Sequence, residues 1–150
     1  MQHETHTSPG ARGRRSSLLA GAAVGAGLMA AVDEIVFHQI LAWHHFYDGS
    51  TPPAALLSDG LLHAAELVLV VGGLFRYADL RRRQSLVARA AWAGGLLAAG
   101  AFQLFDGVVN HKVLGLHEVR YGVDLLPYDL AWNASGLVLV LAGVLLASRR

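Results

Sequence analysis

Aspartate and histidine recur at fixed spacings in two segments of the sequence. The repeated residues are Asp33, His38 and His44 in the first copy and Asp106, His111 and His117 in the second, at a constant offset of 73. Imidazole nitrogen and carboxylate oxygen together form the donor set of zinc, iron, manganese and type-2 copper sites. The repeated pattern therefore predicts a transition-metal site built from both copies.

A second pair of segments adds further candidate ligands. Asp59, His63 and Glu66 share one face of a helix, and Asp129 and Asn133 repeat the first two positions at an offset of 70. The predicted ligands are His38, His44 and His63 with Asp33 or Asp59, supported by Asp106, His111 and His117. Because Asn133 stands where the first copy has His63, the first half is the better predicted ligand set.

A straight helix does not aim all of these side chains at one point. Asp33 and His44 lie about 20° apart on an α-helix, whereas His38 lies about 140° from Asp33. A competing stripe of Glu34, His38 and His45 spans about 40° but has no counterpart in the second copy. The repeat favours the set of Asp33, His38 and His44. For His38 to join this set, either the helix bends locally or His38 lies behind the metal ligands and supports them.

The composition places these residues in a membrane protein. The chain is 54% hydrophobic and 15% charged, well to the apolar side of soluble proteins. Four apolar runs are long enough to cross about 30 Å of hydrocarbon, namely residues 17–47, 55–77, 86–116 and 126–148. With no cysteine, the chain has no disulfide, thiolate metal site or iron–sulfur cluster. The predicted fold is all-α, a bundle of four transmembrane helices.

The matched segments predict that this bundle consists of two tandem helix-pair repeats. Repeat A covers about 17–77 and repeat B about 86–148, within a membrane domain of 17–148 that follows a disordered cytoplasmic tail of 1–16, which contains His3 and His6. Since each repeat crosses the membrane twice, both copies have the same orientation and are related by a pseudo-two-fold axis along the membrane normal.

The basic residues predict the orientation. Ten of the twelve fall at one side of the predicted bundle: Arg12, Arg14, Arg15, Arg76, Arg81, Arg82, Arg83, Arg89, Arg149 and Arg150. The positive-inside rule then places both termini in the cytoplasm of a multi-pass inner-membrane protein, with the histidine cluster facing outward. Arg14 and Arg15 before an apolar run also resemble a cleaved signal, but that run continues through Trp43 and belongs to the repeat.

The leading functional interpretation is a membrane protein whose outward-facing His/Asp cluster binds a transition metal or metallocofactor, with a redox or hydrolytic enzyme as one form of it. The alternatives are a module that transports protons, ions or small molecules, a bis-His haem protein, and a structural subunit of a membrane complex. The expected partners are the lipid bilayer and a membrane protein or second copy of the chain. No pattern for nucleic-acid binding is present.

Several of these segments resemble a bacterial family of predicted membrane proteins, domain of unknown function 2243. The similarity lies in segments 33–45, 58–63, 110–120 and 128–130 and extends over roughly residues 18–150. The family pattern in the first helix resembles Asp-Gly-x-x-x-His-x-x-Leu-x-x-His-His, where this chain has Glu34 in place of glycine. Adjacent histidine pairs are common in the family's third helix, whereas Lys112 and Glu118 follow the histidines here. These departures argue against a fully symmetric two-metal site; the resemblance implies the fold but no activity.

Overall fold

The computed structural model describes residues 9–149, which form four long helices and no strand. The elements are α1 (Pro9–Val32) with a π-helical continuation (Asp33–Ile40), α2 (Pro52–Arg82), α3 (Ala88–Phe105) with a π-helical continuation (Asp106–Leu114), and α4 (Leu126–Ser148). Each of the four is long and apolar enough to cross a membrane. The predicted all-α fold with four candidate spans is confirmed.

The largest differences between the observed and the predicted helix boundaries occur at three places. Residues 9–16, predicted as disordered tail, belong to α1, while residues 1–8, with His3 and His6, lie outside the described residues. α2 continues past its predicted end at Tyr77, because Asp79 pairs with Arg82 and Arg83 at the spacings that stabilise a helix. The first helix ends at Ile40, so the residues up to Tyr47 form a loop.

The outer faces of the helices are apolar and the buried faces are small or polar. Along α2 the buried side of the helix passes through Asp59, Glu66, Gly73 and Leu80, at seven-residue intervals. On its opposite side Val68 and Phe75 are each 73% exposed. Large exposed apolar faces on every helix are expected where the surrounding solvent is hydrocarbon, in which helices associate through small residues and polar contacts instead.

α1 and α3 form the central pair, with α2 packed mainly on α1 and α4 mainly on α3. A Cβ atom on Gly21 would collide with the carbonyl oxygen of Ala91, and a Cβ atom on Gly94 would collide with that of Leu18. Gly21 and Leu18 correspond to Gly94 and Ala91 at the offset of 73. The contact of Gly21 with Ala91 is thus repeated, with the two helices exchanged, by the contact of Gly94 with Leu18. Helices that exchange equivalent contacts in this way are related by a two-fold rotation.

The outer helices repeat their contacts in the same way. A Cβ atom on Gly73 of α2 would lie 3.1 Å from the Ala20 oxygen, and one on Gly143 of α4 would lie 3.1 Å from the Ala93 oxygen. These pairs are related by the offsets of 70 and 73 that relate the sequence copies. The two helix pairs are therefore structurally equivalent around the α1–α3 interface.

We expect Gly94→Ala to destabilise the protein, because the added methyl group meets backbone rather than a movable side chain. Overpacking of this kind costs about 1–3 kcal/mol, so the thermal unfolding midpoint in detergent should fall. Gly72→Ala is the matched control, since nothing lies within 4 Å of its added Cβ. A Gly94→Ala protein that melts with the wild type would contradict the close approach of α1 and α3.

Both π-helical continuations end in the same way. The Trp43 amide donates to the Phe37 carbonyl at 2.9 Å, and the Leu116 amide donates to the Asn110 carbonyl at 2.9 Å. Just before these amides, Ala42 (φ 47°) and Gly115 (φ 58°) adopt the left-handed conformation. A left-handed residue turns the chain away from the helix axis, and so the loop that follows each helix folds back over its end.

Candidate metal centre

The π-helical segments bring an aspartate and a histidine of each repeat onto one face. Asp33 and His38 are five residues apart, which is the hydrogen-bonding interval of a π-helix. His38 Nε2 accordingly lies 3.7 Å from Asp33 Oδ2, and in the second repeat His111 Nε2 lies 3.1 Å from Asp106 Oδ2. The π-helix thus brings the middle histidine onto the same face as the aspartate, which is the effect predicted for a local bend.

The third member of each set lies on the loop after the helix. His44 Nδ1–H donates to the Val119 carbonyl at 2.9 Å, and His117 Nδ1–H donates to the Phe46 carbonyl at 2.9 Å. Each histidine is therefore held by the backbone of the other repeat. The two rings stack with centroids 4.4 Å apart and planes 3° apart. Since Nδ1 carries the proton, the Nε2 lone pair of each ring remains available as a metal ligand.

Two Asp–His–His sets face each other across the pseudo-two-fold axis. We call them the first triad (Asp33, His38 and His44) and the second triad (Asp106, His111 and His117). The ligand atoms within each triad lie within 4.8 Å of one another. The His38 and His44 ring centroids are 4.5 Å apart, and those of His111 and His117 are 4.7 Å apart. All six side chains are buried.

The polar atoms that point into this cluster lack partners with hydrogen-bond geometry in the described part of the chain. They are Nε2 of His38, His44, His111 and His117 and Oδ2 of Asp33 and Asp106. An unsatisfied buried polar group costs about 1–3 kcal/mol. A cation coordinated by these atoms would satisfy several of them at once.

The two loop histidines have the protonation state that metal binding requires. Burial, together with the neighbouring His117 and His38 rings, lowers the pKa of the His44 imidazole to about 3. Burial also lowers the pKa of His117, although Asp106 and the Phe46 carbonyl act in the opposite direction. Both imidazoles are therefore neutral near pH 7, and neutral imidazole is the form that coordinates a metal.

Asp59 lies behind the first triad rather than within it. Its Oδ1 is 3.2 Å from His38 Nδ1 and accepts the Phe46 amide at 2.7 Å, while its Oδ2 is 2.6 Å from His45 Nδ1. Glu34 Oε2 reaches the same His38 Nδ1 at 2.7 Å. Carboxylates in this position orient a metal-bound histidine and raise its basicity. Glu34, His38 and Asp59 also form a third group with metal-ligand spacing.

The second triad has a different environment behind it. His111 Nδ1 is 3.8 Å from Asp129 Oδ1, and Asp129 is paired with the Lys112 ammonium group. Asn133 Nδ2 donates to the Asp129 backbone carbonyl at 2.9 Å. Gly107 occupies the position equivalent to Glu34, and a Cβ atom there would lie 2.7 Å from Asn133 Oδ1. The two halves share their triads but not the groups that support them.

His63, a predicted main ligand, is not brought into either triad. Its side chain is 47% exposed, and its Nδ1 lies 2.7 Å from Glu66 Oε1. The buried face of α2 passes through Asp59 and Glu66, and His63 lies beside that face, lining an open groove of about 330 Å³ with Glu34 and Asp59. The secondary candidate His45 is likewise partly exposed and lies on the far side of Asp59.

Three groups at the centre were not among the predicted residues. The carbonyl oxygens of Phe46 and Val119 hold the loop histidines, and a backbone carbonyl leaves no signal in the sequence. Asn110 Nδ2 donates to Asp106 Oδ1 at 2.9 Å. Its position four residues after Asp106 was a readable signal, because residues at that spacing meet on one side of a helix.

A model of a protein family described as "Predicted membrane protein (DUF2243)" matches residues 20–150. The matched segment includes both triads, all of α2, α3 and α4, and α1 from Ala20 onward. No curated protein matches the chain, and no solved structure matches it.

Proposed function

Because the chain belongs to the DUF2243 family of predicted membrane proteins, we propose that it is a membrane metalloprotein that binds two transition-metal ions, one in each triad. The proposal is carried by one observation, the convergence from both repeats of buried ligand atoms that have no hydrogen-bond partner among the described residues. Leaving such atoms unpaired inside a membrane protein is costly. Two coordinated cations remove that cost and explain why both copies of the repeat retain the same three residue types.

The donor set is compatible with several transition metals. Each triad offers two imidazole nitrogens and one carboxylate, and such sets occur in catalytic zinc sites and in non-haem iron enzymes. Three protein ligands leave coordination positions for water or substrate. We therefore retain zinc, iron, manganese and copper as candidates, with hydrolysis or redox chemistry as the corresponding activities.

An apolar cavity beside the triads favours a substrate from the lipid phase. It has a volume of about 670 Å³, within the range of ligand pockets, and Phe37, Trp43, Val119 and Trp132 are among its lining residues. Val119 connects the cavity to the centre, because its carbonyl oxygen is the acceptor for His44. A hydrophobic molecule in this cavity would lie next to a metal ligand.

A transport function is less well supported, because it requires a polar path along the rest of the bundle. Between Ser17 and Asp33 the buried residues of α1 are alanine and glycine, and glycine and alanine also line the facing start of α3. Haem is disfavoured by the stacking of His44 on His117 at 4.4 Å. A bis-His haem needs its two imidazoles on opposite faces of the macrocycle, and these rings leave no space for one.

The arginine residues support the proposed orientation in the membrane. Arg14 donates to the Ala147 carbonyl and Arg76 contacts Ser16, so the start of α1 and the ends of α2 and α4 meet at one end of the bundle. The triads lie at the opposite end. Since basic residues flank cytoplasmic ends of membrane helices, the metal centre faces away from the cytoplasm.

Elemental analysis of the purified protein tests the proposed function. Protein isolated in detergent without a His tag and without chelators should contain close to two transition-metal ions per chain, and an iron or copper form should absorb visible light. Substoichiometric amounts of every transition metal, with no recovery after incubation with Zn²⁺, Mn²⁺, Fe²⁺ or Cu²⁺, would contradict it.

His63→Ala should leave the metal content unchanged, because His63 is paired with Glu66 outside both triads. The same elemental analysis checks this expectation. If the variant loses metal, the centre is formed by the groove residues Glu34, Asp59 and His63 instead of the triads.

A further inference from the structure

We infer that the two metal positions are unequal, so that the first triad binds its ion more tightly and fills before the second. The inference rests on the proposed function, and it concerns how the groups behind each triad tune the affinity of that triad. The ligand sets themselves are the same, two histidines and one aspartate in each repeat.

The first triad is backed by two carboxylates. Glu34 Oε2 and Asp59 Oδ1 lie 2.7 Å and 3.2 Å from His38 Nδ1, on the side of the ring away from Asp33. Asp59 is fixed in this position by the Phe46 amide. Glu34 is in turn hydrogen-bonded by the Gln39 side chain at 2.9 Å. Two ordered anions behind one imidazole strengthen it as a donor and attract a cation.

The second triad is backed by one carboxylate that already has a cation. Asp129 pairs with Lys112, and its nearer oxygen is 3.8 Å from His111 Nδ1, beyond hydrogen-bond distance. Lys112 stands where the first repeat has the neutral Gln39. No side chain fits at Gly107, the counterpart of Glu34, since a Cβ atom would lie 2.6 Å from Trp132 Cδ1.

The aspartate ligands differ in the same direction. Asp106 Oδ1 accepts a hydrogen bond from Asn110 Nδ2 at 2.9 Å. This hydrogen bond partly compensates the negative charge of the Asp106 carboxylate. The equivalent residue of the first repeat is Phe37, whose ring packs against Trp43 and Trp132 with centroids 5.3 Å apart. Phe37 offers no hydrogen bond, so Asp33 has no counterpart of the bond that Asn110 makes to Asp106, and its Oδ2 atom has no hydrogen-bond partner among the described residues.

These differences add up to a clear inequality of charge. With the carboxylates ionised, the first position has Asp33, Glu34 and Asp59 around it, and the second has Asp106 and Asp129 offset by Lys112. Changes in the groups behind a metal ligand typically alter affinity by about 10–100-fold. We therefore expect the two dissociation constants to differ by at least about 10-fold.

Titration of metal-free protein with Co²⁺ in detergent tests the inference, because cobalt bound by nitrogen and oxygen ligands gives a visible absorption band. The wild type should bind in two resolved steps. Asp33→Asn should remove the tight step and leave the weak one, and Asp106→Asn should do the reverse. Size-exclusion chromatography and circular dichroism confirm that each variant remains folded.

Two substitutions behind the ligands probe the cause of the inequality. Glu34→Gln should weaken the tight step about 10–100-fold, while Lys112→Gln should strengthen the weak step by a similar factor. Asp124→Asn is the charge control, because Asp124 lies on the same end of the protein and is exposed in a loop outside both triads. It should change neither step by more than a small factor.

Two equal steps, or a tight step that disappears in Asp106→Asn and not in Asp33→Asn, would overturn the inference. A single bound cobalt ion supports it if Asp33→Asn alone abolishes binding, and contradicts it if both aspartate variants lose the ion equally. Failure of every variant and of the wild type to bind any transition metal is a separate result, which overturns the proposed function itself.

Discussion

Replacing His44 and His117 together by alanine should reduce the metal content from two ions per chain to none. In the proposed centre each residue supplies one of the three ligands of its triad, and each ring supports the other by stacking at 4.4 Å. Loss of a direct ligand costs more than loss of a supporting group, so each position should weaken by more than about 100-fold. Elemental analysis after dialysis measures the change.

The single variants separate the two positions. His44→Ala should retain only the ion of the second triad, and His117→Ala only the ion of the first. His63→Ala is the matched control, since it removes a partly exposed imidazole at the same end that belongs to neither triad and pairs with Glu66 instead. Full metal content in the folded double His44→Ala/His117→Ala protein would show that the ions are bound elsewhere.

Cysteine labelling in intact cells should give an all-or-none result for the orientation. The chain has no cysteine, so each variant carries a single thiol. Ser50→Cys, in the exposed loop after the first helix, should react with a membrane-impermeant maleimide. Gln84→Cys, in the exposed turn after α2, should react only after the membrane is permeabilised, because we propose that the arginine-rich end faces the cytoplasm.

Both thiols are exposed at opposite ends of the same helix, so each serves as the accessibility control for the other. Reaction of Gln84→Cys without permeabilisation, together with protection of Ser50→Cys, would reverse the orientation. The metal centre would then face the cytoplasm, and the proposal about its outward placement would be wrong while the metal site itself would stand.

The sequence predicted the four helices and the repeated Asp, His and His residues, because both depend on composition and spacing alone. Apolar runs longer than the thickness of hydrocarbon identify membrane spans, and the recurrence of Asp, His and His at one offset identified the residues that meet on the axis. Repetition was the decisive signal. A single Asp33 or His38 in an apolar helix could equally have been a hydrogen-bonded core residue.

The directions in which the Asp33, His38 and His44 side chains point could not be predicted from composition and spacing. A helical wheel assumes 100° per residue, and this assumption separates Asp33 from His38, whereas the π-helix places them together. It also puts His44 on a helix, although the helix ends at Ile40 and a left-handed Ala42 starts the return loop. Local hydrogen-bond intervals of this kind depend on tertiary packing and leave little trace in a hydrophobicity pattern.

The position of His63, which was chosen as a main ligand, also could not be predicted from residue spacing. It shares a helical face with Asp59 within about 40°, but the buried strip of α2 is narrow, and His63 falls just outside it. Spacing determines which residues are neighbours on a helix. Spacing does not determine how wide the contact with the next helix is. In this protein the width of the contact between α1 and α2 depends on the small residues of α1.

The exchange of hydrogen bonds between the loops bears on the biosynthesis of the protein. When the first helix pair leaves the ribosome, Val119 has not yet been translated, so His44 lacks the carbonyl that fixes its tautomer and direction. His117 in turn finds the Phe46 carbonyl only when the second pair has been inserted beside the first. If the proposed metal centre is correct, a half-made chain lacks these two hydrogen bonds, and we expect only a fully inserted protein to bind both metal ions.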